Sequence, residues 1–357
     1  METDPGDGHG AGGPIPAAAE TFAALALAGA ELTDAQAQCV LDWPDERLLE
    51  LLQAAFRVRR HFWGRTVQLH VLTNAKSGLC PEDCHYCSQS AVSTADVGRY
   101  RLMEPERLLE RALQAAEARA RRYCIVISGR SPSPAELSSI CEAVRDIKSR
   151  TDLDICCSLG LLDGDQARRL KAAGVDRINH NLNTSRRFHP SICTTHTYED
   201  RLATLRACRA AGLELCCGAI FGQGETDQDV IDLCRAFREI GMDSIPINFL
   251  IPIAGTPFAD RARDLTPRRC LKILCLARFM NPAREIRIAG GREVHLRSLQ
   301  PLGLYPANSI FVRGYLTEPG QDAPEAWRMI EDLGFELELP PAALAPEATL
   351  DGGAGRP

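Results

Sequence analysis

Residues 123–159 read YCIVISGRSPSPAELSSICEAVRDIKSRTDLDICCSL. Two short apolar runs, Tyr123 to Ser128 and Leu153 to Leu159, have the length and composition of buried strands. Between them, Pro134 to Lys148 carries an amphipathic helical pattern after a cluster of turn formers. Strand, helix and strand in that order make a unit whose two strands lie parallel. The same alternation extends in both directions. Further strands are expected near Val67 to Leu72, Val175 to Leu182, Leu213 to Phe221, Ser244 to Leu250, Glu285 to Ala289 and Ser309 to Val312. Helices are expected over Pro105 to Arg121, Asp165 to Ala173, Tyr198 to Ala211, Asp227 to Ile240, Pro267 to Met280, Arg292 to Leu299 and Pro324 to Leu333. Eight strand-helix units favour closure over an open sheet, so the fold class is α/β, a TIM-type (β/α)8 barrel.

Ahead of the barrel, Leu41, Leu48, Leu49, Leu52 and Phe56 suggest two helices between Glu31 and His61. The expected organisation is a disordered tail over 1–20, a helical extension over 21–62, the barrel over 63–335 and a second disordered tail over 336–357. Among the 357 residues, 45% are hydrophobic, 25% charged and 6% aromatic, as in an ordinary soluble globular protein. A net charge of −6 with scattered basic residues speaks against nucleic acid as a partner. No apolar run has the roughly 18 residues of a membrane helix, and METDPGDGHG lacks the features of a signal peptide. A cytoplasmic location is expected. In a reducing compartment, 15 cysteines point to metal or redox chemistry instead of a disulfide framework.

Cys80-x3-Cys84-x2-Cys87 lies among turn formers just past the first strand. Structural zinc and ferredoxin clusters take four protein ligands, so a local set of three leaves a coordination gap. On a 4Fe-4S cluster the gap is an iron free to chelate the amine and carboxylate of S-adenosyl-L-methionine, for one-electron reduction to a 5′-deoxyadenosyl radical. Tyr86, between the second and third thiols, could pack on the adenine. The alternative reading is a zinc site completed by His85 or a distant cysteine, or a loop of free thiols.

A barrel places its chemistry at the carboxyl ends of the strands, where residues i and i+2 share a face. Cys124, Val126 and Ser128 share one face, as do Cys156 and Ser158, and as do Glu285, Arg287 and Ala289. Cys216 and Cys217 are neighbours, so only one can point inward, and polarity does not decide which. Single buried cysteines commonly serve as small core hydrophobes. An inward arginine needs an anionic partner, either a thiolate-rich cluster or a barrel carboxylate. Asn179, Asn181 and Asn183 put three amides on one face and Asn248 adds another, a set suited to a neutral ribose or urea-like ligand or to a hydrogen-bonded barrel layer.

The KSGLCPEDCHYCSQS loop, INHNLNTS from Ile178, TTHTYEDR from Thr194, GAIFGQGET, IPINFLIPIAGTP, RIAGGRE and ANSIF occur in the order found in one family. From about residue 60 to 335 the chain resembles the biotin synthase family of radical S-adenosylmethionine enzymes. The resemblance implies that Cys80, Cys84 and Cys87 bind the 4Fe-4S cluster and that Cys124, Cys156, Cys216 and Arg287 bind an auxiliary 2Fe-2S cluster. It also implies cofactor contacts by Tyr86, Asn181, Asn183, Arg201 and Ile220, and substrate contacts by Asn181 and Asn248. Most better-known members carry Asp where this chain has Asn183. The implied activity is a sulfurtransferase: 5′-deoxyadenosyl radicals abstract hydrogen from two unactivated carbons of dethiobiotin, and sulfur from the auxiliary cluster bridges them to give biotin. The initial C–H cleavage requires no general acid or base. The implied partners are a flavodoxin or ferredoxin electron donor, iron-sulfur assembly proteins and a second copy in a homodimer. Competing readings are a radical barrel of the relatives that rearrange amino acids or help build a hydrogenase cofactor, and a noncatalytic iron-sulfur or zinc-binding interaction protein.

Overall fold

The computed structural model describes residues 18–78, 80–261 and 265–339. Residues 1–17 and 340–357, most of the two expected tails, lie outside the described residues. The chain opens with α1 (Glu20–Leu27), α2 (Asp34–Leu41) and α3 (Leu48–Trp63). The first of these precedes the two that the apolar pattern marks. There follow β1 (Thr66–Lys76), α4 (Pro105–Glu117), β2 (Arg122–Ile127), α5 (Pro134–Arg150), β3 (Asp154–Ser158), α6 (Gly164–Ala173) and β4 (Arg177–Asn179). Next come α7 (Tyr198–Ala210), β5 (Glu214–Cys216), β6 (Ala219–Phe221), α8 (Asp227–Ile240), β7 (Ser244–Phe249), α9 (Pro267–Met280) and β8 (Glu285–Ile288). The last elements are α10 (Arg292–Leu296), β9 (Ser309–Phe311), α11 (Ala323–Asp332) and β10 (Glu336–Leu337).

All the strand pairings around the barrel are parallel, and β9 returns to β1 with Gln68 opposite Ser309, which closes it. β5 and β6 together make one stave, interrupted at Cys217 and Gly218, so the barrel has eight. The interruption falls where β7 carries Pro246, which has no N–H to donate. Gly218 packs its backbone there, since a Cβ at this position would lie 1.9 Å from the Pro246 carbonyl oxygen. The helix expected over Arg292 to Leu299 stops at Leu296, and a 3-10 stretch from Arg297 to Leu304 follows with Pro301 inside it. Proline cannot supply the amide that would continue an α-helix. β10 lies outside the barrel, pairing with the start of β1.

From Cys270 to Met280, α9 is buried on every side. A helix with no solvent face must be covered twice, and the N-terminal helices supply the second cover. Phe22 sits with its ring centroid 5.8 Å from Phe279 and 5.9 Å from Trp43. Truncating such a ring to Ala costs about 3–5 kcal/mol, so the extension is part of the domain's core. Arg59, fully buried at the end of α3, donates to the carbonyls of Gly64 (2.6 Å) and Thr66 (2.6 Å) and so fixes the entry to β1. Among the described residues, no helix is long and apolar enough to cross a membrane.

Candidate active site

The three cysteines follow β1 on a loop that side chains tie down at several points. Asp83 accepts from the backbone N–H of Thr194 (2.9 Å) and Thr195 (3.1 Å), while the N–H of His85 donates to the Ile192 carbonyl (2.9 Å). These bonds pin the loop to the segment after β4. Cys84 is buried and Cys80 and Cys87 are half-buried, and all three line one cavity of about 290 Å³. Burial pushes the Cys87 thiol up to about 11 and raises Cys80 as well. Cys84 is raised too, chiefly by the hydrogen bond it shares with Cys193. Thiols raised in this way must give up their protons to bind a metal.

At the other end of the cavity, Cys124 and Cys156 are directly opposite on β2 and β3. Cys156 neighbours both Cys124 and Cys216. Cys157 and Cys217 belong to the apolar layer between barrel and helices, so the parity that the sequence leaves open at 216 and 217 is resolved: Cys216 faces inward. Arg287 reaches Cys216 Sγ with Nη1 at 3.8 Å, while its Nη2 donates to Ser244 Oγ (2.6 Å) and Glu285 Oε1 (2.6 Å). Of the two expected anionic neighbours the barrel carboxylate is present as Glu285, while burial pushes the Cys216 thiol well up. Burial opposes the charge on Arg287, but Glu285, Cys216 and Cys124 outweigh it and hold the guanidinium protonated. Burial likewise works against the Glu285 carboxylate, yet Arg287 and Arg177 keep it well below the usual carboxylate range. Arg177 Nη1 is 2.5 Å from Glu285 Oε2, and Ser309 Oγ donates to Oε1 at 2.8 Å.

Between the two groups of thiols runs a band of amides. Asn181 Oδ1 accepts from the Gly218 N–H (2.9 Å) and from Asn179 Nδ2 (3.1 Å), which turns the Asn181 amine away from both. Asn179 also donates to Cys216 Sγ at 3.2 Å. Asn183 has φ +69°, a left-handed conformation that Asn and Asp tolerate best after glycine, and its amine donates to the Tyr86 hydroxyl. Asn248 is held by the Ala219 carbonyl (2.8 Å) and the Gly290 N–H (2.9 Å), keeping one amine hydrogen and one oxygen lone pair for a ligand. Arg201 Nη1 donates to the Asn181 carbonyl (2.7 Å), and Ile220 completes the wall.

Tyr86, Asn181, Asn183, Arg201, Ile220, Asn248, Cys124 and Arg287 thus share the cavity with the three loop cysteines, while Cys156 and Cys216 sit just behind it. Arg201 Nε, Ser128 Oγ and His180 Nε2 are buried without a partner among the described residues, and all three residues line the cavity. Buried polar atoms are almost always satisfied, so a polar occupant fits, as S-adenosylmethionine would. The donor set fits iron: thiols at both ends, with one guanidinium nitrogen left to sulfur.

Several neighbours escape the sequence reading. His85 packs edgewise on Phe258 (5.4 Å between centroids), and the histidine beside the cysteine loop is His196. Cys193 and His196 lie close to Cys84, and their Cys-x2-His spacing was the available signal. Asn179 is visible as one of the three amides, but its bond to Cys216 is not. Phe311 and Tyr315 also line the cavity, and Phe311 stacks beneath the Arg287 guanidinium (5.0 Å).

Comparison with known proteins fits this two-ended cavity. Residues 76–237 match the model of the Radical SAM superfamily and residues 246–336 that of the Biotin and Thiamin Synthesis associated domain. The biotin synthase of Geobacillus kaustophilus (strain HTA426) is 56% identical over 319 residues, 89% of this chain and 96% of the relative. That of Bacillus subtilis (strain 168) is 54% identical over 312 residues, 87% of this chain and 93% of the relative. The chain belongs to the biotin synthase family. It is therefore a radical S-adenosylmethionine enzyme of the sulfurtransferase type, and family membership carries a 4Fe-4S cluster, S-adenosyl-L-methionine and a 2Fe-2S cluster. In fold, this biotin synthase family barrel matches a methylornithine synthase with a TM-score of 0.78 at 22% identity, over 89% of this chain and 97% of the other. It also matches an FeFe-hydrogenase maturase from Carboxydothermus hydrogenoformans with a TM-score of 0.76 at 19% identity, over 90% of this chain and 79% of the other. These two share the fold alone.

Proposed function

We propose that this chain makes biotin by inserting sulfur between two unactivated carbons of dethiobiotin, with Cys80, Cys84 and Cys87 holding the four-iron cluster and Cys124, Cys156, Cys216 and Arg287 the two-iron cluster. The observation that carries this reading is one cavity with thiols at both ends and amides between them. When bound, the four-iron cluster and S-adenosylmethionine supply the one-electron chemistry that removes hydrogen from carbon, and the two-iron cluster supplies the sulfur. The protein's contribution is placement and shielding. Arg201, Asn181, Asn183, Tyr86 and Ile220 hold the cofactor, and Asn248 and Asn181 orient the ureido ring of dethiobiotin. Asn248 offers one donor and one acceptor, which suits an N–H beside a carbonyl. Leu72, Val126, Phe249 and Phe311 keep the cavity walls apolar, which limits water around a reactive carbon. A flavodoxin or ferredoxin donor, iron-sulfur assembly proteins, a homodimeric state and a cytoplasmic location complete the proposal. Anaerobic reconstitution with iron and sulfide tests it: two spectroscopically distinct clusters should form, with only one perturbed by S-adenosylmethionine. A single cluster species, or two that both ignore S-adenosylmethionine, would sink it.

A further inference from the structure

Beside the cluster loop, the Sγ of Cys84 is 3.8 Å from that of Cys193, which is 3.6 Å from His196 Nε2. Tetrahedral zinc, with bonds of about 2.3 Å to sulfur and 2.0–2.1 Å to nitrogen, sets an S···S edge of about 3.8 Å and an S···N edge of about 3.6 Å. Two of the three edges stand at those separations, and all three ligand atoms lie within 4.8 Å of one another. His196 is also prepared for the role. Its Nδ1 is 2.5 Å from Glu82 Oε2 and 3.3 Å from Cys193 Sγ, so the tautomer with hydrogen on Nδ1 donates to that carboxylate, and a turn of the ring brings the free Nε2 lone pair to a metal. A carboxylate behind a metal-bound histidine is the usual way to fix ring orientation and raise ligand basicity. Arg130 Nη1 holds the other Glu82 oxygen at 3.0 Å. Asp83 Oδ1 lies 3.1 Å from Cys193 Sγ but is held by the Thr194 and Thr195 N–H groups and stands outside the cluster of three, so the fourth position falls to solvent. All three ligating residues are buried, and Cys84, His196 and Glu82 border the cavity, which gives an ion a path inward.

We propose that the cluster-free protein holds one Zn2+ between Cys84, Cys193 and His196, with a solvent water completing the tetrahedron. Binding displaces the proton through which Cys84 donates to Cys193 and draws on no redox partner. Since Cys84 cannot serve zinc and the iron cluster at once, the two metals exclude one another, a consequence that rests on the reading of Cys84 as a cluster ligand. Zinc in this site keeps the Cys84 thiolate from oxidation while the cluster is absent and must leave before the cluster is built.

The test uses the full chain, stripped of metal and reduced under nitrogen, with Co2+ as the optical probe. One cobalt per chain should bind with tetrahedral visible bands and thiolate charge-transfer absorption, and one equivalent of Zn2+ should bleach both. Cys193→Ala and His196→Ala, their folding checked by circular dichroism, should each weaken cobalt binding by roughly tenfold or more. Cys80→Ala and Cys87→Ala should leave it unchanged. Absence of tetrahedral bands in the parent chain, or bands that survive Cys193→Ala and vanish in Cys80→Ala, would overturn the site. In a second arm, the parent chain loaded with zinc should take up no four-iron cluster until zinc is chelated, whereas Cys193→Ala should load iron equally with and without zinc. Cluster formation with zinc still bound would overturn the exclusion. A chain that binds cobalt at these residues and never assembles a cluster would overturn the assignment of Cys84 to iron while leaving the zinc site standing.

Discussion

Among the described residues Glu285 is the one carboxylate in contact with Arg287, and removing its charge is the most informative single perturbation of the barrel interior. It is 1% exposed, 2.6 Å from Arg287, 2.5 Å from Arg177 and 3.4 Å from His70 Nε2. Glu285→Gln keeps the shape and leaves two buried guanidinium groups short of an anion. Arg177 retains Glu214 at 2.7 Å, and Arg287 retains, among the described residues, only the neutral Ser244 hydroxyl and the thiol of Cys216. The loss is therefore that of one broken buried pair, about 3–5 kcal/mol. At about 2–4 °C per kcal/mol for a large domain, the melting midpoint of the cluster-free protein should fall by roughly 6–20 °C. Glu214→Gln, which touches the same Arg177 from a half-exposed position (51%), should cost less than about 1 kcal/mol. Because the folded protein holds Glu285 well below its ordinary value of 4.5, its stabilisation is present in full above that value. It is lost as the pH falls through the lowered value, so the gap between parent and variant should narrow only in acid. Denaturant melts of parent, Glu285→Gln and Glu214→Gln at neutral and acid pH measure all of this. A Glu285→Gln protein within about 1 kcal/mol of the parent at neutral pH would refute the view that this carboxylate neutralises the buried arginines.

Cys84→Ala should abolish formation of 5′-deoxyadenosine, whereas Cys124→Ala should retain it and lose biotin; chromatography of both products separates the two ends of the cavity. Normal biotin yield from Cys124→Ala would contradict its assignment. Gly218→Ala should destabilise the protein by several kcal/mol and weaken ligand binding, because the new methyl meets the Pro246 carbonyl and pushes on the amide that holds Asn181. A melting midpoint equal to the parent's would refute the close approach. Since Cys87 titrates near 11 and its neighbours are raised as well, iron loading should weaken as pH falls, by about tenfold per pH unit for each thiol ionised on binding. Iron titrations at two pH values near neutrality check the slope, and a flat response would mean that the thiols are already ionised.

Eight staves were legible in the sequence because parallel strands buried on both faces read as short apolar runs, and the runs survive any error of one or two residues at their ends. The register between neighbours was not. Cys216 and Cys217 are equally apolar, and only the barrel's closure shows that the second belongs to the helix-facing layer. Arg287 announced its need for an anion, and Glu285, two residues away on the same strand face, was visible as one answer. Asn179, in contrast, could be seen only as one amide among three until its bond to Cys216 was known. The least legible feature is the pair of Cys84 and Cys193, which a 109-residue separation hides from any reading of local spacing. The extra helix α1 is short and rich in alanine, so its periodicity is weak. Its place was nonetheless foreshadowed by α9, whose apolar residues all round its axis demand a second layer.

The central claim is that one cavity both generates the radical and delivers the sulfur. An anaerobic incubation of the reconstituted protein with dethiobiotin, reductant and S-adenosylmethionine tests it most directly. The account predicts that 5′-deoxyadenosine and biotin both accumulate; 5′-deoxyadenosine with no sulfur entering dethiobiotin would contradict it.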